Sequence, residues 1–519
     1  MFSKLLHTFE NFILKFLPFY FYPKKSKVFT LSKFRAGLKC DSLLWYYYNH
    51  NKIYKTKEYK QNPYRNPQFD QLIFYAQSLF KDAISIQTTY PEKSAKITSD
   101  MLTHKKPIFN AGVLYNDLFS KNGILVPSAN KDKWDIIEIK HTNTVKKDSF
   151  MELAYQVYVA ELCGLKIQKC YVLLINSDYY CNNSMDIEPS KFFIKQDITE
   201  SVRTSIPFMK TKLEHFKKVI HAQNPLKKSL NHSCKTPKSC TINSFCWGEL
   251  QEGNIFELRE SNYLPQVLLQ SDIKYITDIP DNVELSPKQK IQISCSKTQK
   301  PYFHIQNLKK TFSRLKYPYY FLDFETINPP IPVFNHSKPF QHIPFLFSLH
   351  IEREINGNIE HYEYINDGET EPREKILLLL KELIQANGSI ICYNDVFEKK
   401  CIREATQLFP EYQDWFNSIV NNFFDLSIPF RNFDYYHPGQ RGSASLKSVF
   451  PVLTELNYNH LNINNGLAAN QEFLKMKLSK LSKQEKEKIK TNLLEYCKLD
   501  TYAMVMIVQK LKDLVDLHK

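Results

Sequence analysis

Phe321-Leu322-Asp323-Phe324-Glu325-Thr326 decides how the C-terminal part of the chain is read. Side chains alternate across a strand, so in a strand predicted over residues 319–325 Asp323 and Glu325 point to one side. Two carboxylates on one face of a hydrophobic strand are costly unless a cation or solvent offsets them. An exposed strand end also carries such pairs, so this one is weighed with the acids that follow it. Companion strands are predicted at 345–351 and 360–365, and an amphipathic helix at 373–386. A buried strand at 389–393 leads directly into a helix over 396–408. The last two helices are predicted at 483–497 and 501–514, separated by little more than a turn. Strands with helices packed around them give an α/β fold class.

Later acids fall at matching points of that topology. In Tyr393-Asn394-Asp395-Val396-Phe397-Glu398, Glu398 stands on the first helical turn, within reach of neighbouring strand ends, with Asp395 as a fallback. Tyr496 and Asp500 stand four apart, on one helical face. Asp425, in Phe424-Asp425-Leu426, reads as the end of a structural strand. Oxygen-only ligands of this kind suit Mg²⁺ or Mn²⁺, and two such ions about 4 Å apart activate water and stabilise the leaving oxygen of a phosphodiester. Gly442-Ser443-Ala444-Ser445-Leu446-Lys447 is a small-residue turn feeding a helix. It reads either as a phosphate cradle with Lys447 as a nucleic-acid contact or as a capped helix start. Tyr435, Tyr436 and His437 read either as base-stacking groups or as packing.

On these motifs residues 316–519 resemble the DnaQ-like 3′-to-5′ exonucleases of ribonuclease-H fold whose third motif is Tyr-x-x-x-Asp. The resemblance implies that Asp323, Glu325, Glu398 and Asp500 hold two Mg²⁺ or Mn²⁺ ions and that Tyr496 orients the attacking water. Glu398 stands where that family has an aspartate, one methylene shorter.

The front half carries a second constellation. Asp135-Ile136-Ile137-Glu138-Ile139-Lys140 is a predicted strand with Glu138 and Lys140 on one face, a pattern also common on solvated strands. A helix over 149–162 follows, bearing Glu152, Gln156 and Tyr158, and then a strand at 170–176. From about Leu31 to Trp247 this resembles RecB-type nucleases of the PD-(D/E)XK superfamily, which implies a site built on Glu138, Lys140 and Gln156. The aspartate that this family needs one strand earlier is replaced by Gly123, and Asn110 stands at a further expected acid. Only Asp117 is nearby, at the cost of a register shift. The resemblance therefore implies a degenerate nuclease site that grips its substrate. Cys234-x5-Cys240-x5-Cys246 and the distant Cys40 match neither zinc ribbons nor ferredoxins by spacing alone. Their placement resembles RecB-like nucleases of the AddB type and of CRISPR adaptation, which implies a [4Fe–4S] cluster on Cys40, Cys234, Cys240 and Cys246. Zinc and uncoordinated thiols are the alternatives.

Composition bounds the rest. The chain has 519 residues, 43% hydrophobic and 24% charged, which fits two to four globular domains and excludes fibrous and disordered classes. No stretch reaches the roughly 18–20 apolar residues of a membrane span. Eleven cysteines, an odd number without an export signal, favour reduced thiols or a metal site and a cytoplasmic location. Net charge is +15, divided as about +18 before residue 316 and about −3 after it. That asymmetry marks the front half as the nucleic-acid-facing part. The expected order is an amphipathic leader (1–30), a PD-(D/E)XK-like domain with a four-cysteine lobe (31–250), a connector (251–315) and a ribonuclease-H-like exonuclease domain (316–519). As a whole it resembles an uncharacterised bacterial domain-of-unknown-function family. The expected activity is metal-dependent phosphodiester hydrolysis from a 3′ end, on DNA rather than RNA. A decayed nucleic-acid-binding protein and an RNA-processing exonuclease are the alternatives.

Overall fold

The computed structural model describes residues 28–50, 68–130, 132–225, 230, 234, 240–246 and 250–518. The expected leader lies outside the described residues up to residue 27. Phe29–Thr30 is already a strand of the front sheet.

That sheet contains β1 (Phe29–Thr30), β2 (Ile84–Ser85), β3 (Ile108–Tyr115), β4 (Leu118–Pro127), β5 (Trp134–Ile139), β6 (Ile167–Ile175) and β7 (Phe193–Asp197). Its order is β2-β3-β4-β5-β6-β7, with β1 added parallel to β4. β3, β4 and β5 form an antiparallel meander, whereas β5 and β6 are parallel. A parallel neighbour needs a crossover, which the helix Lys147–Leu162 supplies. Helices α1 (Leu31–Lys39), α2 (Asp41–Asn49), α3 (Gln68–Ser78), α4 (Pro91–Leu102), α5 (Lys147–Leu162) and α6 (Thr199–His221) surround the sheet. The buried Leu153, Ala154 and Val157 of α5 pack with Ile136 and Val172 in one core.

The connector is folded. Ile255, Leu258, Leu268, Ile276, Ile279 and Ile293 form a small core of their own, the last from α7 (Pro287–Thr298). Beyond it β8 (Tyr302–Phe303) pairs with a later two-residue strand at Tyr435–Tyr436.

The rear sheet holds β9 (Tyr319–Ile327), β10 (Ile343–Glu352), β11 (Ile359–Ile365), β12 (Ser389–Cys392) and β13 (Phe423–Asp425) in the order β11-β10-β9-β12-β13. β10 runs antiparallel to β9 and β11, while β12 runs parallel to β9 and β13. Alternation along β9 sorts its side chains between two layers. Tyr320, Leu322 and Phe324 pack against α8 (Pro372–Leu383) and α9 (Asp395–Leu408). Tyr319 and Phe321 face α10 (Leu446–Thr454), α11 (Gly466–Leu478) and α12 (Lys483–Asp516). Asp323 and Glu325 continue that second set and therefore point toward α12.

The two C-terminal helices expected from the sequence are one helix of 34 residues, opened by a Ser482–Glu485 capping box. Lys498-Leu499-Asp500 contains neither Gly nor Pro, so nothing interrupts the backbone ladder there. Tyr435 and Tyr436 are buried, Tyr436 stacking on Phe433, so they serve packing rather than base stacking.

The halves interlock through residues 328–342, the loop between β9 and β10. Buried Gln68 of α3 donates to the Ile331 carbonyl at 2.7 Å and accepts from its N–H at 3.2 Å. Ile331 and Phe340 pack in the front half's core with Leu72, Phe109 and Phe192. Cys181 bridges Ser337, and Asn335 accepts from the Ser184 N–H at 2.9 Å.

A polar cluster lies between β10 and α12. Ser348 Oγ stands 3.0 Å from His361 Nε2 and 2.7 Å from Thr501 Oγ1, and His350 Nδ1 stands 2.8 Å from the same Thr501 oxygen. Burial and the neighbouring His361 and Lys498 push His350 down to about 3, and burial with Lys498 pushes His361 down to about 4. Both values lie below an unfolded histidine near 6.5. The stability these rings give is therefore complete above pH 6.5 and is lost as pH falls toward the folded values. The loss sets in as pH falls below 6.5 and is shared between the two coupled rings. Urea midpoints at pH 7.5 and 5 should differ less in His361→Gln than in wild type. Equal pH dependence in both proteins would contradict a buried neutral His361.

Candidate active site

A cleft of about 360 Å³ opens on the α12 side of β9 and is lined by Asp323, Glu325, Glu398, Tyr496 and Asp500. Three chain segments deliver these groups. β9 presents Asp323 and Glu325 by alternation. The β12-to-α9 junction presents Glu398: its N-cap, Asn394, adopts a left-handed φ of 88° and donates its N–H to Asp425 Oδ1 at 3.0 Å. Asp425 also accepts from the Ser427 N–H at 2.8 Å and from Arg431 at 2.9 Å, so it holds the junction as a structural residue, as expected. α12 presents Tyr496 and Asp500 one turn apart.

The electrostatics are those of crowded, buried acids. Burial and the Asp500 charge raise the Asp323 carboxyl well above its usual range; burial and Asp323 do the same to Glu325 and Glu398. Burial pushes Asp500 up to about 6. Glu398 is only 3% exposed, and its Oε2 has no hydrogen-bond partner among the described residues. A buried oxygen without a partner, beside like charges, is one that a cation, a proton or a water molecule would satisfy. These residues fit Mg²⁺ or Mn²⁺. Asp395, the fallback ligand, is instead paired with Lys399 at 2.7 Å.

Two groups in this site were not anticipated in their roles. The Tyr458 hydroxyl donates to Asp500 Oδ1 at 2.6 Å. The Lys447 ammonium donates to the Tyr496 hydroxyl at 2.8 Å and to the Asn464 carbonyl, and lies 4.5 Å above the Tyr496 ring. Burial lowers Lys447, while Asp500, Glu325 and Asp323 oppose that shift. Lys447 is thus the counter-charge of the acid cluster, on α10 behind the Ser445 N-cap, rather than a cation held out to solvent. A tyrosine thirteen residues after the Ser445 helix cap carries no local pattern that would have singled out Tyr458.

In the front half the structure brings Glu138, Lys140 and Gln156 together. Gln156 donates to Glu138 Oε2 at 3.2 Å, and Lys140 stands 3.7 Å from Glu138. Lys140 also donates to Glu152 at 2.9 Å, and Arg35 of α1 clasps Glu152 through two hydrogen bonds of 2.7 Å. Arg35 was not foreseen, because it lies 117 residues from its partner. A Cβ on Gly123 would lie 2.8 Å from the Ile137 carbonyl oxygen and 3.1 Å from Glu138 Oε2, so the position faces Glu138 but takes no side chain, acidic or otherwise, unless the backbone shifts. Asp117 lies instead in the β3–β4 turn beside Lys217, at 3.7 Å. With Gly at 123, and Glu152 neutralised by Arg35 and Lys140, this pocket does not fit a divalent cation.

The four cysteines named from the sequence are gathered. Burial and the nearby Cys40, Cys240 and Cys234 push Cys246 up to about 11. Burial chiefly, with Cys234 and Cys40, raises Cys240. The four thiols from both ends of the front half are therefore near enough to feel one another's charge, but among the described residues the side chains that converge closely enough to share one ion are Asp323, Glu325 and Cys497 instead.

Residues 320–445 match the family model of a domain of unknown function, DUF2779. That span includes Asp323, Glu325 and Glu398 and ends before Lys447, Tyr496 and Asp500. The chain is 29% identical over 230 residues to uncharacterized protein MG366 of Mycoplasma genitalium, covering 40% of this chain and 34% of that protein. It is 26% identical over 232 residues to the MG366 homolog of Mycoplasma pneumoniae, covering 40% and 34%. To uncharacterized protein UU173 of Ureaplasma parvum it is 25% identical over 226 residues, covering 40% and 33%. The chain spans about a third of the length of the curated relatives it matches. The crystal structure of SSO0001 covers 48% of this chain and 98% of that chain at 11% identity, with a TM-score of 0.21, too low to carry a fold argument. Among the described residues no helix is long and apolar enough to cross a membrane.

Proposed function

We propose that the chain is a metal-dependent nuclease that removes nucleotides from a 3′ end, with a ribonuclease-H-like rear half of the DnaQ type and a PD-(D/E)XK-like front half that captures the substrate. The observation that carries this reading is the convergence of Asp323, Glu325, Glu398 and Asp500 on one cleft, with the Glu398 oxygen lacking a partner. DNA is the favoured substrate.

Asp323, Glu325, Glu398 and Asp500 would hold two Mg²⁺ or Mn²⁺ ions, which when bound activate water and stabilise the leaving oxygen. The chain's own residues set the geometry around that chemistry. Lys447 fixes the Tyr496 hydroxyl, which orients the attacking water. Tyr458 holds one oxygen of Asp500, and Tyr496 also interacts with that carboxylate, so both phenols fix its orientation in the cleft. Lys447 also places one positive charge beside Asp323, Glu325 and Asp500, which limits their repulsion before substrate arrives.

The front half, with its net positive charge, would bind phosphates through Lys and Arg, a mode that weakens steeply with salt. The Arg35–Glu152–Lys140 network favours a gripping rather than a cutting role there. On the four gathered cysteines a [4Fe–4S] cluster would staple the two ends of that half, with Zn²⁺ as the alternative occupant.

The test is degradation of end-labelled single-stranded DNA and RNA with Mg²⁺ or Mn²⁺. A ladder shortening from the 3′ end, stronger on DNA, is expected. Tight, salt-sensitive binding without any product would replace this reading with that of a decayed binding protein. A ladder on RNA alone would make it an RNA-processing enzyme.

A further inference from the structure

We propose that Cys497 gives the rear centre a second mode of occupancy, in which a thiophilic divalent cation of the Zn²⁺ class is held by Cys497 Sγ and carboxylate oxygens of Asp323 and Glu325. The inference rests on reading the cleft as a cation site and adds to it a metal class that four carboxylates alone would not select.

Cys497 follows Tyr496 on α12 and precedes Asp500 by three residues, so one helical turn delivers a phenol, a thiol and a carboxylate toward β9. Its sulfur lies 3.6 Å from Asp323 Oδ2 and 3.8 Å from the Asp323 carbonyl oxygen. One donor atom each from Asp323, Glu325 and Cys497 lie within 4.8 Å of one another. On a tetrahedral zinc, with Zn–S near 2.3 Å and Zn–O near 2.1 Å, a sulfur and an oxygen ligand are about 3.6 Å apart. The Cys497–Asp323 spacing therefore matches two ligands of one ion, and the Glu325 oxygen lies near enough to join them by a small side-chain adjustment.

A buried thiol is otherwise a small core residue, and Cys497 does pack in the core between the sheet and α12. The independent sign of a missing ligand is Glu398, 3% exposed, whose Oε2 has no partner among the described residues and which lines the cleft with Asp323 and Glu325, against whose inner wall Cys497 is buried. It is a third carboxylate at the same place, beside the two oxygens and one sulfur of the ligand set.

Mg²⁺ takes oxygen ligands and ignores the sulfur, whereas thiolate ligation favours Zn²⁺, which also binds mixed sites more tightly than Mn²⁺. On binding, the thiol proton passes to solvent and the sulfur forms the metal bond. Asp323 and Glu325 serve both modes, so the two exclude each other. Zn²⁺ is then a competitive blocker of the Mg²⁺- or Mn²⁺-loaded centre.

The test follows bound Mn²⁺ on the full chain by electron paramagnetic resonance while Zn²⁺ is added. Wild type should release Mn²⁺ at Zn²⁺ concentrations at least about tenfold lower than Cys497→Ser, with Cys497→Ala as a second variant should the serine disturb packing. Cd²⁺ should give one more equivalent of sulfur-to-metal charge-transfer absorption in wild type than in either variant, the other cysteines being common to all. Superimposed displacement curves with equal Cd²⁺ stoichiometry would overturn the role of Cys497 and leave the Mg²⁺ reading standing. Failure of wild type to bind Mn²⁺ at all would overturn both.

Discussion

Asp323→Asn and Asp500→Asn should each lower Mg²⁺-dependent nucleotide release by at least about a thousandfold while leaving the metal-free protein as stable as wild type or more so. The two effects share one cause. Asp323 sits among Glu325, Glu398 and Asp500, and each of these carboxyls is raised by burial or by its neighbours. Removing one charge relieves that repulsion in the apo state and removes a metal ligand in the working state. Asp425→Asn provides the contrast. It weakens the clasp on Arg431 and the caps on Asn394 and Ser427, so it should lower the thermal midpoint. Single-turnover rates on a 3′-labelled oligonucleotide, with melting curves in EDTA, separate the two. Undiminished Mg²⁺-dependent release in Asp323→Asn would end the rear-site reading.

Cys40→Ser should remove the metal content of the front half and lower its melting temperature by about 10 °C or more, because metal-binding free energy at such a site is folding free energy. Cys40 joins α1 to α2, and the other three cysteines lie some 200 residues on, so a metal shared among them would close a long loop whose opening is entropically large. Iron and zinc analysis of protein purified without oxygen, followed by calorimetry, reads both quantities. Wild-type protein that contains neither metal, or a Cys40→Ser protein that melts with wild type, would reduce the four thiols to packing.

The sequence was most legible where one element decided the outcome. Alternation in β9 placed Asp323 and Glu325 on one side, and helical spacing placed Tyr496 with Asp500, because both rules are local. The single α12 was misread as two helices by treating a polar stretch as a break, although Lys498-Leu499-Asp500 has no residue that ends a helix. Long-range partners were invisible for a different reason. Tyr458, Arg35 and Gln68 make contacts across 42, 117 and 263 residues, and no periodicity reports such distances. Lys447 was noticed for the right segment but with a different partner. A lysine after a serine-rich turn suggests a phosphate, whereas its hydrogen-bond partners here, Tyr496 and Asn464, come from other segments. The four cysteines were legible as a set only through resemblance, since their spacing alone fits no common metal ribbon.

The loop that carries Ile331 and Phe340 into the front half's core also bears on how the protein can be dissected. A fragment beginning near residue 302 would keep every acid of the cleft, yet would turn two large apolar side chains to water and leave the Ile331 amide without the glutamine that satisfies it. Such a surface drives self-association. Precipitation of the excised rear half would thus report a torn seam rather than a dead catalyst, and point substitutions are the cleaner instrument.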